Sequence, residues 1–313
     1  MRGRRLYGHL ITLFTVSIWG TTFVATKVLL RDSTPVEIIF YRFVIGYCAL
    51  FLFYPRIHKI RDLKEELLFL GLGLTGVSLY FLLENTALQF TLAANVGLLS
   101  GTVPILTAIV SHFFTTDEKF SSKHFWGFLV AFAGTALVIF NAQVVLKLNP
   151  LGDFLALLAP LAWSFYSVLL KRVDHSYNPF YVTRKTFFYG LLTVIPIMIL
   201  SGGEFIPANT ISLQLLLNIG FLGLVASALC FVTWNKAVEF IGTIKASNYI
   251  YLVPLISMIT SIIVLHEDVT ALEVVGGCLI LTGVYISERG LKVGWLFKLV
   301  GLLKRTDDLS KQL

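Results

Sequence analysis

The run LLFLGLGLTGVSLYFLLENTALQF (residues 67–90) decides the fold class, because Glu84 is its only charged side chain. A hydrocarbon core of about 30 Å is crossed by about 20 apolar residues in an α-helix, whereas a membrane-spanning strand needs only about 9–11. A helix also satisfies its own backbone hydrogen bonds, as lipid requires of any spanning segment. The run therefore predicts a transmembrane α-helix.

Runs of this kind recur along the whole chain. Of its 313 residues, 56% are hydrophobic and 14% are charged, and the mean hydropathy is +0.81, whereas soluble domains are about 45–50% apolar and about 25% charged. This composition predicts an all-α polytopic membrane protein with ten transmembrane helices. The predicted spans are residues 8–30, 36–54, 66–88, 92–114, 123–141, 151–172, 179–200, 212–236, 244–265 and 269–288.

The 25 Lys and Arg residues are divided unevenly between the two sides of the predicted bundle. Ten spans place both termini on one side, which carries most of these residues, whereas the connections on the other side carry only Arg31 and Lys147. The positive-inside rule then predicts cytoplasmic termini and a multi-pass protein of the cell (inner) membrane. Membrane orientation accounts for the net charge of +7, so no nucleic-acid partner is expected.

The second half of the chain repeats the first. NTALQF at Asn85 corresponds to NKAVEF at Asn235, and further pairs keep offsets of 144 to 150 residues. Each copy holds five spans, and because five is odd the copies are inverted in the membrane, as in secondary transporters that bind substrate at the repeat interface. The predicted units are residues 1–145, residues 146–288 and an amphipathic cytoplasmic tail at 289–313. The further pairs are Trp19 and Trp163, Lys27 and Lys171, Pro35 and Pro179, Pro104 and Pro254, Glu118 and Glu267, Gly127 and Gly276, and Gly134 and Gly283.

Four segments resemble the ten-helix EamA-type branch of the drug/metabolite transporter superfamily. They are SIWGTTFVATK at residues 17–27, the RF pair at Arg42 and Phe43, and the long segments at 99–138 and 249–284. The resemblance implies a secondary transporter that moves small organic metabolites, often amino acids or related compounds and often outward, by alternating access. One departure is Ser164, which stands where the first copy has Gly20, so the two copies need not contribute equally to a site.

Motifs typical of soluble enzymes do not indicate a different function for this chain. GLGLTG at residues 71–76 matches the dinucleotide-binding fingerprint, but it lies inside an apolar span with no strand before it. Small residues that allow close helix packing explain it better. No phosphate-binding loop occurs, and Cys, His and acidic residues lack metal-ligand spacing. We therefore expect no enzyme activity, no cofactor and no metal.

A stripe of aromatic and polar side chains marks the first predicted span. Trp19, Thr22 and Lys27 share one helical face, and the second copy repeats the stripe with Trp163 and Tyr166. In lipid such a stripe must pack against protein or line a cavity. Both readings stay open, but the cavity is favoured for the tryptophans because membrane-interface anchors lie at span ends. The other candidates for substrate binding are Tyr80, Asn85, Asn95, Asn248 and Tyr249, although Asn side chains also commonly hydrogen-bond between helices.

Ionisable residues within spans are functional candidates by default. Lys27, Arg42 and Glu84 lie in the predicted outer half, where the cations could simply pair with the acid. Lys171 and Arg184 lie in the inner half, together with Lys185, and Glu239 is the nearest acid expected for them. These cations either pair with acids or extend their charged ends to water at the membrane surface. Alternatively, they attract the carboxylate or phosphate of a substrate. Since aromatic rings would accept an apolar or cationic part, a zwitterionic amino acid fits both demands.

Several features leave alternatives open. Pro104 and Pro254 can kink equivalent helices and so act as gating elements. Rows of small residues (Gly127, Ala131, Gly134 and Gly276, Gly277, Gly283) predict close helix packing or a homodimer interface, so a monomer and a homodimer both remain. Proton or ion coupling is also open, and an uncoupled uniporter or facilitator is the main alternative to a coupled transporter. A non-transporting membrane scaffold or receptor is the third.

Overall fold

The computed structural model describes residues 2–57, 59, 61–91, 93–140, 149–202, 212–256, 259 and 270–290. Within these ranges the backbone forms helices joined by short turns and contains no strand, which confirms the all-α class. The helices are α1 (Arg2–Leu29), α2 (Pro35–Phe53), α3 (Leu63–Phe90), α4 (Ala93–Ser100), α5 (Val103–Phe114), α6 (Ser122–Phe140), α7 (Pro150–Leu170), α8 (Pro179–Leu200), α9 (Leu213–Ile241), α10 (Thr243–Asn248) and α11 (Ala271–Arg289), with a 3-10 turn at Tyr249–Leu252.

Seven segments of the described chain are long and apolar enough to cross a membrane, so the protein is a multi-pass membrane protein. The count of ten spans stays a prediction, because much of the ninth predicted span lies outside the described residues, as do residues 291–313 of the tail predicted at 289–313. The seven segments are Pro35–Phe53, Leu63–Phe90, Asn95–Phe114, Ser122–Ile139, Pro150–Leu170, Pro179–Leu200 and Leu213–Ile241.

Equivalent helices in the two repeats begin in the same way. The Thr34 side chain accepts a hydrogen bond from the Glu37 backbone N–H, and the Glu37 carboxylate accepts one from the Thr34 N–H, which forms a capping box at the start of α2. Asn178, the equivalent of Thr34, caps α8 by accepting from the Phe180 N–H at 2.9 Å. A proline follows each cap, where its missing N–H costs nothing. These local signals fix the two helix starts at equivalent places.

Glycine pairs let helices of one repeat cross helices of the other. A Cβ added to Gly73 on α3 would lie 2.5 Å from the backbone nitrogen of Gly190 on α8. The equivalent pair is Gly223 on α9 and Gly46 on α2, where a Cβ on Gly46 would lie 3.1 Å from the Gly223 carbonyl oxygen. The same contact is therefore made twice with the repeats exchanged, as an inverted repeat requires.

The predicted rows of small residues on α6 and α11 pack against each other. A Cβ on Gly134 would lie 2.6 Å from the Gly276 carbonyl oxygen, and a Cβ on Gly283 would lie 2.6 Å from the Gly127 carbonyl oxygen. Each row thus needs glycine because the other backbone occupies the space. Close packing within one chain accounts for these rows, and they are not available as a face for a second copy.

In both repeats a regular α-helix is interrupted next to the centre of the bundle. A π-helical segment lies at Leu74–Leu79 within α3 and another at Phe221–Leu229 within α9, in equivalent parts of the two repeats. The predicted kink at Pro104 takes a different form: the chain turns after Ser100, and Pro104 lies in the first turn of α5. Proline is tolerated in a first turn because no helical N–H bond is lost there. Pro254 likewise follows the 3-10 turn at Tyr249–Leu252.

Candidate functional site

A cavity lies at the centre of the bundle and has an empty volume of about 530 Å³. Side chains of both repeats form its wall, as expected for a site at a repeat interface. Six of its residues are candidates that the sequence singled out: Trp19, Thr22, Arg42, Tyr80, Glu84 and Trp163. The remaining lining residues are Phe81, Ser100, Val103, Ile250 and Val253.

Two equivalent tryptophans meet in this cavity. The ring centroids of Trp19 and Trp163 are 5.2 Å apart with planes at 89°, an edge-to-face arrangement. Trp19 Nε1 donates to the Ala226 carbonyl oxygen at 3.0 Å, whereas Trp163 Nε1 has no hydrogen-bond partner within the described part of the chain. Tyr80 adds a third ring, with its centroid 5.2 Å from that of Trp163. The aromatic stripe therefore lines a cavity, and one N–H donor of the stripe is buried without a partner among the described residues.

Arg42 brings a positive charge into this aromatic setting. Its side chain is 2% exposed, its Nε donates to Ser227 Oγ at 2.6 Å, and its Cζ lies 4.1 Å from the Phe81 ring centroid. Across the described residues no carboxylate oxygen lies within 4.0 Å of its nitrogens. A guanidinium group has five N–H donors, and these contacts occupy one of them and one face.

Glu84 lines the same cavity without forming an ion pair. Its carboxylate accepts a hydrogen bond from the Tyr80 hydroxyl at 2.9 Å, and the residue is 8% exposed. The pairing of Arg42 with Glu84, one of the alternatives left open by the sequence, is therefore not a contact within 4.0 Å, although both residues reach one cavity. The side chain of Lys27 lies outside the described part of the structure. A buried acid and a buried base thus face a shared space with few protein partners.

Four predicted polar candidates hydrogen-bond between helices and do not line the cavity. Asn85 contacts the Pro35 carbonyl oxygen at 3.5 Å, and Asn95 donates to Asp153 at 3.2 Å. Asn248 donates to Glu288 at 2.9 Å, and Tyr249 lies 2.8 Å from His9 Nδ1. The structural alternative therefore accounts for these contacts, because each of the four side chains reaches a residue of another helix; Asn85 Oδ1 stays buried without a partner among the described residues.

Tyr166 lies behind the cavity. It is fully buried, its ring centroid is 4.9 Å from that of Trp163, and its hydroxyl donates to Asn235 Oδ1 at 2.6 Å. Asn235 in turn lines a second and larger cavity, with an empty volume of about 1250 Å³, at the face where α1 begins (the N-terminal face). Tyr166 thus stands between the two cavities. The second one is also lined by charged residues: Arg5, Asp117, Glu118, Lys171, Asp174, Glu239 and Lys245.

The three cations that the sequence placed in the inner half, Lys171, Arg184 and Lys185, have protein partners other than Glu239. Lys171 pairs with Asp117 at 2.7 Å and lies 3.6 Å from Glu118, and its expected partner, Glu239, pairs with Lys236 instead. The hydrogen bond from Lys171 lowers the pKa of the Asp117 carboxyl below its ordinary value. The chain separation between these residues hid the pairs from the sequence.

Two other cations at this face are also satisfied. Lys185 pairs with Glu66 at 2.6 Å and with Glu65 at 3.4 Å. Arg184 donates to the carbonyl oxygen of Arg56 at 2.6 Å and to that of Tyr54. Backbone carbonyls at the end of α2 therefore take the place of an acid for Arg184, and neither cation lines the central cavity.

Sequence reasoning missed one aromatic residue next to the site. Trp234 is fully buried, and its ring centroid lies 5.1 Å from that of Trp19 and 5.7 Å from that of Trp163. The offset of 150 residues that relates Asn85 to Asn235 also relates Glu84 to Trp234. This equivalence was the available signal, since it places Trp234 at the depth of the central acid in the other repeat.

The fold and the cavity between repeats define a membrane transporter of the inverted-repeat class. The chain belongs to the EamA-like transporter family, whose family model matches residues 6–140 and 150–288. An uncharacterized transporter of Archaeoglobus fulgidus is 25% identical over 288 residues, which cover 89% of this chain and 96% of that protein. A probable amino-acid metabolite efflux pump of Escherichia coli (strain K12) is 27% identical over 290 residues, covering 90% and 95%. One crystal structure, 20% identical, matches 90% of this chain and 98% of its own with a TM-score of 0.73, and shows the same fold.

Proposed function

We propose that this protein exports small organic metabolites, amino acids or related carboxylate-bearing compounds, by alternating access through the central cavity. The observation that carries the proposal is the placement of Arg42 and Glu84 in one aromatic cavity made by both repeats. Arginine grips carboxylates bidentately. The name of the Escherichia coli relative, a probable amino-acid metabolite efflux pump, supports this substrate class and the outward direction.

Each cavity residue receives a part in this proposal. The free N–H groups of Arg42 bind the substrate carboxylate, and Glu84 or the ring faces of Trp19 and Trp163 bind an ammonium group or an apolar side chain. Thr22 and Tyr80 complete the wall. The proposal includes cytoplasmic termini in the inner membrane, so that the cavity at the N-terminal face leads from the cytoplasm to Tyr166.

Transport by purified protein in liposomes tests the assignment. Arg42→Gln should abolish export of carboxylate compounds and their ability to raise the melting temperature Tm, because no other described cation lines the cavity. Arg61→Gln is the matched control, since Arg61 forms an exposed ion pair with Asp174. The double variant Trp19→Ala with Trp163→Ala should also lose ligand binding. Unchanged transport in both cavity variants would refute the site.

An uncoupled facilitator is the second candidate, and one observation favours it. Glu84 is the only carboxylate among the described lining residues of the central cavity, so few groups there could carry a proton. Flux measured with and without a pH gradient separates the two candidates. Accumulation that depends on the gradient and is lost in Glu84→Gln supports coupling, whereas gradient-independent flux that never concentrates substrate supports the facilitator.

A further inference from the structure

A recess separate from the central cavity lies at the face opposite the N-terminal face, called here the far face. It is formed where α1 ends and where α2 and α9 begin, and its empty volume is about 550 Å³. It shares no lining residue with the central cavity. Apart from one serine and one tyrosine the wall is aliphatic: Leu29, Ser33, Ile38, Tyr41, Ile45, Leu215, Leu216 and Ile219.

The inverted repeat places a polar cluster at the equivalent position of the N-terminal face. This cluster, called the polar latch, joins α3 to α8. Lys185 pairs with Glu65 and Glu66, the Tyr177 hydroxyl donates to Glu65 at 2.9 Å, and the Tyr189 hydroxyl donates to Glu66. Hydrogen bonds and ion pairs therefore fill the contact between the two helices there.

Every residue of the polar latch corresponds to a residue that lines the far-face recess. The offset of 144 relates α2 to α8, and the offset of 150 relates α3 to α9. Ser33 stands where the second repeat has Tyr177, and because serine lacks the phenol ring of tyrosine, space is left at the far face. The five equivalent pairs are Ser33 and Tyr177, Tyr41 and Lys185, Ile45 and Tyr189, Leu215 and Glu65, and Leu216 and Glu66.

The chemistry of the two positions decides what can fill them. The recess at the N-terminal face that borders Glu65 and Tyr177 is also lined by Asp62, Lys64 and Asp174, so water suits it. The far-face recess has an aliphatic wall, in which water would find few partners. If it stayed empty, its lining side chains would lose dispersion contacts.

The surroundings of the far-face recess supply hydrocarbon. Leu216, which lines it, is 52% exposed, and its neighbours Leu213 and Leu217 are 72% and 65% exposed on the same helix. Because α9 is a membrane-spanning segment, these leucines face acyl chains. We propose that the recess binds one acyl chain of a phospholipid from the adjacent leaflet.

A charged residue stands where the headgroup of that lipid would lie. Arg31 is exposed in the turn between α1 and α2, two residues before Ser33. Its guanidinium group can pair with a lipid phosphate at the level of the headgroups. The aliphatic wall and Arg31 together match a phospholipid rather than a free fatty chain or a free phosphate. The bound lipid bridges α2 and α9, the contact that the polar latch makes at the other face.

Native mass spectrometry of the protein released from phosphatidylethanolamine and phosphatidylglycerol nanodiscs tests the proposal. Ser33→Tyr copies the residue of the equivalent position and should fill the recess, so it should retain one phospholipid fewer per chain than the wild type. Leu217→Tyr is the matched control, since this leucine is exposed on α9 but does not line the recess. It should retain the wild-type number.

A second variant tests the headgroup and does not disturb the helices. Arg31→Gln should lower the retention of phospholipid relative to monoolein, which lacks a phosphate, at least severalfold. Equal phospholipid retention by wild type and Ser33→Tyr would overturn the proposal. So would displacement of the retained lipid by a transported substrate, which would assign the recess to transport. Equal retention by the two proteins leaves the proposed function of the central cavity unaffected.

Discussion

The hydroxyl of Tyr166 donates a hydrogen bond to Asn235 Oδ1 at 2.6 Å, and this bond links Asn235, in the wall of the cavity at the N-terminal face, to a ring that packs against Trp163 in the wall of the central cavity. Asn235 is fixed from its other side, since its Nδ2 donates to Thr183 Oγ1 at 2.9 Å. The bonds join α7, α8 and α9 near the tryptophan pair. We expect passage between the two cavities to move Tyr166 away from Asn235 or from Trp163.

Removing this hydroxyl should destabilise the closed arrangement. Tyr166→Phe leaves Asn235 Oδ1 buried without its donor, which costs about 1–3 kcal/mol. We expect a lower Tm in detergent and faster labelling of a cysteine placed in the central cavity by a reagent added from the N-terminal side. Tyr7→Phe is the control, since Tyr7 is 54% exposed. Equal Tm values for the two variants would show that the bond contributes nothing to closure.

The glycine crossings should tolerate no side chain. Gly73→Ala would place a Cβ 2.5 Å from the backbone nitrogen of Gly190, and Gly223→Ala would place one 2.8 Å from Ile45 Cβ. Overpacking of this kind typically costs about 1–3 kcal/mol. Both variants should melt at lower temperature than the wild type. Gly220→Ala is the matched control because nothing lies within 4 Å of its Cβ position, and it should melt at or above the wild-type Tm.

The ion pair of the polar latch should show strong coupling in a double-mutant cycle. The side chains of Lys185 and Glu66 are only 11% and 13% exposed, so Lys185→Met leaves Glu66 with Tyr189 alone as a close partner. Breaking a fully buried pair costs about 3–5 kcal/mol, and the partial exposure here places the expected cost below that range. Adding Glu66→Gln should restore part of the lost Tm. Strictly additive effects of the two changes would contradict an energetic pairing.

The pair of Lys171 and Asp117 should make stability depend on acid pH. The hydrogen bond from Lys171 lowers the pKa of Asp117 in the folded protein, so its stabilisation is present above the unfolded value of about 4 and is lost as pH falls through the lower folded value. The Tm difference between wild type and Asp117→Asn should therefore shrink below about pH 4. Asp32→Asn, at an exposed turn, is the control and should show no such trend. A pH-independent difference for Asp117→Asn would refute the linkage.

The long apolar runs, the charge distribution and the internal repeat are sufficient to determine the class of the protein. The run at residues 67–90 could only be a spanning helix, because lipid leaves a backbone no other partner than itself. The odd number of spans in each repeat required inversion, and the aromatic stripe favoured a cavity wall for Trp19 and Trp163, with packing against protein left as the alternative. These conclusions depend on patterns along the chain, such as the length of an apolar run or the spacing of residues on one helical face, which the sequence displays directly.

Only the tertiary structure decided which polar residues meet. The sequence indicated Glu239 as the nearest acid expected for Lys171 and left Asn95, Asn248 and Tyr249 open between substrate binding and contacts between helices. In the structure Lys171 pairs with Asp117, and the other three join helices away from the central cavity. The sequence also could not show that Arg42 and Glu84 share a cavity without touching. Partner choice depends on distances between helices that are remote in sequence. A hydrogen bond requires its donor and acceptor to be placed to within a few tenths of an ångström, and helical periodicity does not give that precision.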